Sequence, residues 1–336
     1  MFIATIMVVM RHGQNLHLYY DGGSIWMPVT DANVFIQEFI SRFTDLAIPF
    51  FFMMSGFLYF LGVENFSQLK EKNFRRIHSL LIPYLLWNIL ELIFWGGLSF
   101  VPSLHDQMVH SFGVDWSPGW LLKKLTIEPI NGQFWYIRTL IIFCALSPVF
   151  LLIYRHKIIS LMCFGLLMRY WLFIDCGIFS TEGLVCFFLG GLIGYHQWHK
   201  KLEYYKWGWS SLLIMICTMI ICSIYRFTFS GAWYFRIFLS VIFLVQFSLY
   251  CEKNTFVNRK IETLSNRSFF IYAIHGNTLA ALSVLFSRVV PHTPLMSFVM
   301  YVVNIVIIIT SAILVAGLLQ KIFPKFYSLL TGGRGK

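Results

Sequence analysis

This sequence predicts an all-α fold, a polytopic transmembrane helical bundle of about ten spans, and three observations predict it. Of its 336 residues 58% are hydrophobic and only 12% charged, and the mean hydropathy of +0.70 lies outside the soluble globular range. Apolar runs long enough to cross a bilayer recur along the whole chain. The basic residues then fall mainly in alternate connections between those runs, as the positive-inside bias requires. A length-based division into two soluble domains does not apply, because one bundle absorbs residues 1–336 as a single domain. The net charge of +11 would suggest nucleic acid in a soluble protein; here the alternation accounts for it, and no nucleic-acid partner is implied.

Taken in order, the runs lie near 2–20, 44–62, 79–99, 134–153, 158–174, 182–197, 207–225, 233–250, 268–287 and 296–319. One set of connections carries Lys70, Lys72, Arg75 and Arg76; Arg155 and Lys157; Lys200, Lys201 and Lys206; Lys253, Arg259, Lys260 and Arg267; and the tail residues Lys321, Lys325, Arg334 and Lys336. The opposite set holds Arg42, Lys123, Lys124, Arg226 and Arg288. This predicts that both termini are cytoplasmic. The first run is short for a span, since Arg11 follows Phe2 to Met10 directly, and the expectation is that Met1 is an internal methionine of a longer reading frame. The hydrophilic segment 101–133 becomes an outer loop, either a solvated connection or a cap with an amphipathic interfacial helix. Seven cysteines, none in a CxxC pair, lie in or beside apolar runs and imply packing rather than a disulfide framework or metal site.

The residues that could carry chemistry are ionisable groups at membrane depth, where charge is costly and by default functional. His12 leads them. Its imidazole ordinarily titrates near neutrality, so it can accept and return a proton. No metal is implied, because His12, His17 and His275 have no ligand spacing with carboxylates or thiolates. In the second run, Arg42 precedes Pro49, and Phe51, Phe52, Ser55 and Gly56 form a bulky-then-small patch. There a helix or an extended ligand can approach the backbone closely. Trp135 and Tyr136 suit a membrane interface, whereas Arg138, a turn further in, would meet a ligand or pair with Glu182. Arg42, Asp45, Arg169, Asp175 and Arg236 are further charges at span ends, some of them simple ion pairs.

These stretches, in this order, resemble the acyltransferase-3 family of bacterial inner-membrane acyltransferases, many of which O-acetylate surface polysaccharides. The resemblance runs nearly the full length: FFxxSG at Phe51, Phe52, Ser55 and Gly56; Arg75-Arg76-Ile77 leading to LLIPYLLWN; GQFWYIRTL at Gly132 to Leu140; Ser268-FF-Ile271-Tyr272-AI-His275; and the terminal LLTGGR. It implies that His12 acts in acyl transfer, as general base or as a covalent acyl carrier. It implies acetyl-CoA or another acyl-CoA as co-substrate, with Arg75 and Arg76 meeting its phosphates, since guanidinium forks suit phosphate oxygens. The acceptor would be a glycan or lipid-linked sugar, and the location the bacterial inner membrane. His275 matches a family histidine, lining the site or bonding between helices. Two positions depart from the pattern. The family's first-span arginine would fall where Met1 stands, and Ser79 occupies the place of a second arginine three residues after Arg76.

Two other classes fit the same residues. A transporter or flippase would use the charges to line a path, although no internal repeat supports it. A degenerate, non-catalytic relative would explain the incomplete first-span motif.

Overall fold

The computed structural model describes residues 1–20, 31–102, 115–170, 179–202 and 255–334, with isolated positions 210, 213, 217 and 245. Apart from those isolated positions, the expected spans over 207–225 and 233–250 lie outside the described residues, as do Asp175, Arg226 and Arg236. Among the described residues the chain is helical, without strands. Five helical stretches are long and apolar enough to cross a bilayer: Ala32–Phe60, Phe66–Leu98, Gly132–Tyr154, Ser268–Val289 and Pro294–Ile322; Thr181–Tyr195 is apolar but shorter.

The chain begins with α1 (Phe2–His12), which stops at Gly13, followed by the single turn α2 (Leu16–Tyr19). The run expected to span 2–20 is therefore broken. The reason is local: Asn15, between the two helices, is wholly buried and turns its polar groups into a network with other helices. Its side chain donates to the Ser297 carbonyl at 3.0 Å, and the two hydrogens of Gln37 Nε2 are shared among Asn33 Oδ1 at 2.9 Å and Asn15 Oδ1 and Ser297 Oγ, each at 3.1 Å.

Gln37 and Asn33 belong to α3 (Ala32–Thr44), in a stretch read from sequence as connection. Asp31 caps this helix by accepting from the Asn33 and Val34 amides. Its polar residues face inward to partners rather than outward to water, so hydropathy missed a helix. Replacing Gln37 by leucine leaves these buried groups short of partners. It should cost about 1–3 kcal/mol, read as a lowered thermal midpoint in detergent; an unchanged midpoint would remove the network from the stability argument.

After α4 (Ala47–Phe60) comes α5 (Phe66–Arg76), which runs through a widened turn, Ile77–Leu81, into α6 (Ile82–Leu98). Pro83 has no amide to give the Ser79 carbonyl, and the widened i→i+5 bonding of Ile77–Leu81 accommodates that missing bond. Lys72 caps the end of α4, donating to the Tyr59 and Leu61 carbonyls at 2.9 and 2.8 Å. In the segment expected as an outer loop, α7 (Pro118–Thr126) forms an exposed helix capped by Ser117. Beyond its end, Lys123 and Lys124 hydrogen-bond Glu128 and lower its carboxyl pKa.

The remaining helices are α8 (Trp135–Tyr154), α9 (Lys157–Tyr170), α10 (Thr181–Tyr195), α11 (His199–Leu202), α12 (Thr255–Ser265), α13 (Ser268–Val289), α14 (Pro294–Ile322) and α15 (Pro324–Thr331). Among the described residues the closest backbone packing joins α4 to α10, which carries Leu-Gly-Gly-Leu-Ile-Gly. A Cβ on Gly190 would overlap the Met53 carbonyl, one on Gly194 the Phe57 carbonyl, and one on Gly56 the Phe187 carbonyl. Small residues four apart allow this backbone-to-backbone contact. Around it a largely aromatic core forms from Phe52, Phe60, Phe143, Phe187, Phe188 and Tyr154, all buried.

Candidate active site

His12 is the last residue of α1, and the helix ends behind it with the Gly13 amide bonded to the Val9 and Met10 carbonyls. Ending the helix there leaves the imidazole exposed on one side. On the other it meets His275 of α13, the ring centroids 5.2 Å apart and the planes tilted by 56°. His275 is 0% exposed. Its Nδ1 lies 2.7 Å from the Tyr272 carbonyl, and a carbonyl can only accept, so Nδ1 carries the hydrogen and Nε2 is left as an acceptor. That Nε2 has no protein partner among the described residues. Arg11, adjacent in sequence, makes an ion pair with Asp45 at the end of α3.

The histidine pair is joined to the other sequence motifs through Tyr272. Its hydroxyl donates to the Gln133 carbonyl, and its ring stacks on Phe134 at 5.9 Å and meets Tyr136 edge-on at 6.1 Å. In return, Gln133 Nε2 donates to the Tyr272 and Ala273 carbonyls at 3.3 and 3.0 Å. Its side chain occupies the space a Cβ on Gly276 would need. The GQFWY and IYAIHG stretches are thus one clamp. Tyr136 carries it to α4: its hydroxyl lies 3.1 Å from Ser55 Oγ, and its ring lies 4.6 Å from Phe52 and 5.9 Å from Phe51.

The candidate residues therefore divide. His12, His275, Ser55, Phe51 and Phe52 converge around Tyr136 and Tyr272, with Trp135 against Phe52 at 6.0 Å. Gly56 instead faces α10, in helix packing. Glu182 sits in the first turn of α10, and Arg42 in the last turn of α3; an acid at a helix start and a base at a helix end suit the helix dipole. Arg138 does not pair with Glu182. Arg138 Nε and the Tyr84 hydroxyl of α6 are each buried without a protein partner among the described residues. Arg75 and Arg76, adjacent in sequence, point differently. Arg75 is exposed and paired with Glu71, whereas Arg76 turns inward over the Tyr59 ring, 5.8 Å from its centroid.

One residue of this region escaped the sequence reading. Glu91 of α6 accepts from Asn131 Nδ2 at 2.6 Å and Asn277 Nδ2 at 2.5 Å, and Asn131 also donates to the Ala273 carbonyl at 2.8 Å. A carboxyl group so held ties Asn131, just before the GQFWY stretch, to Asn277 of α13, two residues after His275. The signal was present, since Glu91 is the single charged residue in the run 79–99. No group of three or more histidine, cysteine or acidic side chains that could hold a metal occurs among the described residues.

Compared with known proteins, the chain matches the sequence profile of acyltransferase-3, described as an acyltransferase domain, over residues 2–320. It is similar to a serine/alanine racemase of Enterococcus gallinarum, 32% identical over 142 residues. That match covers 41% of this chain and 17% of the racemase, so the chain spans less than a fifth of that relative's length. No solved structure matches. With nearly its whole length inside the profile and its helices suited to a bilayer, this chain is a membrane-helical member of the acyltransferase-3 family.

Proposed function

We propose that the protein is an O-acyltransferase of the bacterial inner membrane, with about ten spans and cytoplasmic termini, which moves an acetyl group from acetyl-CoA to a hydroxyl of a cell-surface glycan or lipid-linked sugar. The observation that carries this reading is the His12–His275 pair, one ring open to a reactant and the other wholly buried behind it. A His12 ring nitrogen accepts the proton of the acceptor hydroxyl as its oxygen attacks the thioester carbonyl. The carbon–sulfur bond breaks, and the imidazolium returns the proton to the leaving thiolate. His275 is a positioning residue. Its Nδ1–H is fixed on the Tyr272 carbonyl, which sets its tautomer and orientation beside His12. Ser55 and Tyr136 offer hydroxyls on the same aromatic-lined interior, suited to a sugar or to the developing oxyanion.

The test is transfer of label from acetyl-CoA into an envelope glycan fraction by the purified protein in liposomes. Label recovered as a base-labile ester on glycan is expected. Glycan movement across the liposome membrane without ester formation would replace this reading with transport.

A further inference from the structure

The hydrogen bonding of His275 stays within its own helix: Nδ1 lies 2.7 Å from the Tyr272 carbonyl, and Nε2 has no partner among the described residues. That bond fixes the ring on α13 but not beside His12. Where the ring stands relative to His12 depends on what anchors the stretch 272–277 to the rest of the bundle.

Three polar side chains anchor it, and one acid joins two of them. Asn131 Nδ2 donates to the Ala273 carbonyl at 2.8 Å and Gln133 Nε2 to the same carbonyl at 3.0 Å. On the C-terminal side of His275, Asn277 Nδ2 donates to Glu91 Oε2 at 2.5 Å, and Glu91 Oε1 accepts from Asn131 at 2.6 Å. One turn back on α6, Asn88 is wholly buried, and its Oδ1 accepts from the Ile130 amide at 2.9 Å. Helix α6 therefore holds both the 130–131 segment and Asn277, with His275 between the two points of attachment on α13. An acid at membrane depth is unfavourable unless it is used, and no aliphatic side chain could accept from two amides at once.

The amides also show which property of the acid is used. Asn131 cannot turn over, because its nitrogen donates to the Ala273 carbonyl as well, and a carbonyl only accepts. Asn277 makes no second side-chain bond among the described residues and is free to present its oxygen instead. A glutamine at position 91 would keep both contacts, its oxygen toward Asn131 and its nitrogen toward a turned Asn277, with the charge removed.

We infer that Glu91 is a positioning residue for His275: through Asn131 and Asn277 it holds the stretch 272–277 so that the His275 ring stands beside His12, and it acts by hydrogen bonding rather than by charge. Its part in acyl transfer rests on the acyltransferase reading; its hold on His275 does not.

Two readouts are taken on the full chain in liposomes: steady-state acetyl transfer, and solid-state nitrogen-15 spectra of histidine-labelled protein, with His275 assigned by its loss in His275→Asn. Glu91→Ala should lower kcat per folded protein about 10- to 100-fold, the effect of displacing a reacting group by about 1 Å, with little change in KM. The same variant should shift or broaden the His275 Nδ1–H signal. Glu91→Gln should restore that signal and most of kcat. Because Glu91→Ala could fail to fold, Asn277→Ala, which leaves Glu91 bonded to Asn131, is measured beside it and should move both readouts in the same direction. Thr278→Ala, exposed at the next position, should move neither. A lowered thermal midpoint with kcat per folded protein and the His275 signal unchanged would reduce Glu91 to a stability role and overturn the inference. A Glu91→Gln protein as slow as Glu91→Ala, with the His275 signal intact, overturns it too, because the charge would then be what matters. If wild-type protein transfers no acetyl group while Glu91→Ala still moves the His275 signal, the acyltransferase reading falls and the hold on His275 stands.

Discussion

Replacing His12 by alanine should lower acyl transfer by about 10²–10⁴-fold, the contribution of a positioned general acid–base, with little change in folded yield. The fold does not lean on this side chain. It is exposed, makes no hydrogen bond among the described residues, and follows the last buried positions of α1, whose packing is carried by Phe2, Ala4, Met7, Val8 and Val9. The measurement is the rate of labelled acetyl transfer at matched protein level. A rate within about threefold of wild type would remove His12 from the chemistry and leave the family assignment without its catalytic residue. The same samples, acid-quenched in the absence of acceptor, separate the two roles open to an imidazole. Label retained on wild-type protein but not on His12→Ala marks a covalent acyl-histidine; no retained label with full transfer activity marks a general base. His275 should behave differently. Because it is wholly buried and bonded to Tyr272, His275→Ala should lose stability along with activity, and His275→Asn should recover more of the first than of the second.

The largest structural effect should come from Gly190→Ala. Its added methyl would overlap the Met53 carbonyl, a backbone atom that no rotamer change can move aside. The α4 and α10 helices would have to separate, loosening Gly56 from Phe187 and Gly194 from Phe57 together. The cost should exceed the roughly 1–3 kcal/mol of ordinary overpacking and appear as aggregated protein or a sharply lowered thermal midpoint. Gly97→Ala is the control, because nothing lies within 4 Å of a Cβ there. Equal stability of the two variants would sink the close-packing account. Activity should fall with stability in Gly190→Ala, since the contacted helix α4 also carries Phe51, Phe52 and Ser55 toward Tyr136.

Much of the fold was legible in the residues because a bilayer imposes a coarse rule on sequence: long apolar runs must be helices, since no other spanning segment satisfies its own backbone. That rule located α8, α13 and α14 to within a few residues, and the order of motifs pointed to the family. It failed where helices turn polar faces to one another. Asn33 and Gln37 look like loop residues by hydropathy, yet they sit in α3 because Asn15 and Ser297 satisfy them. The Gly190–Gly194 spacing was readable as a close-packing signal, and Glu91 as a solitary intramembrane acid; both passed unnoticed because neither belongs to a longer pattern.

By itself the sequence determined a helical membrane protein of the acyltransferase-3 kind and the residue types available for its chemistry, because composition and local periodicity are properties of neighbours along the chain. Tertiary structure alone decided which of those residues meet. His12 and His275 are 263 positions apart, yet their rings are 5.2 Å apart. Adjacent arginines 75 and 76 part company, the first pairing with Glu71 at the surface and the second turning over the Tyr59 ring, and Arg334, 65 positions after Phe269, lies 4.7 Å over that ring. A helix fixes the angle between successive side chains but not what stands opposite them. That is set by the packing of glycine against backbone and aromatic ring against ring, which no single stretch of sequence contains.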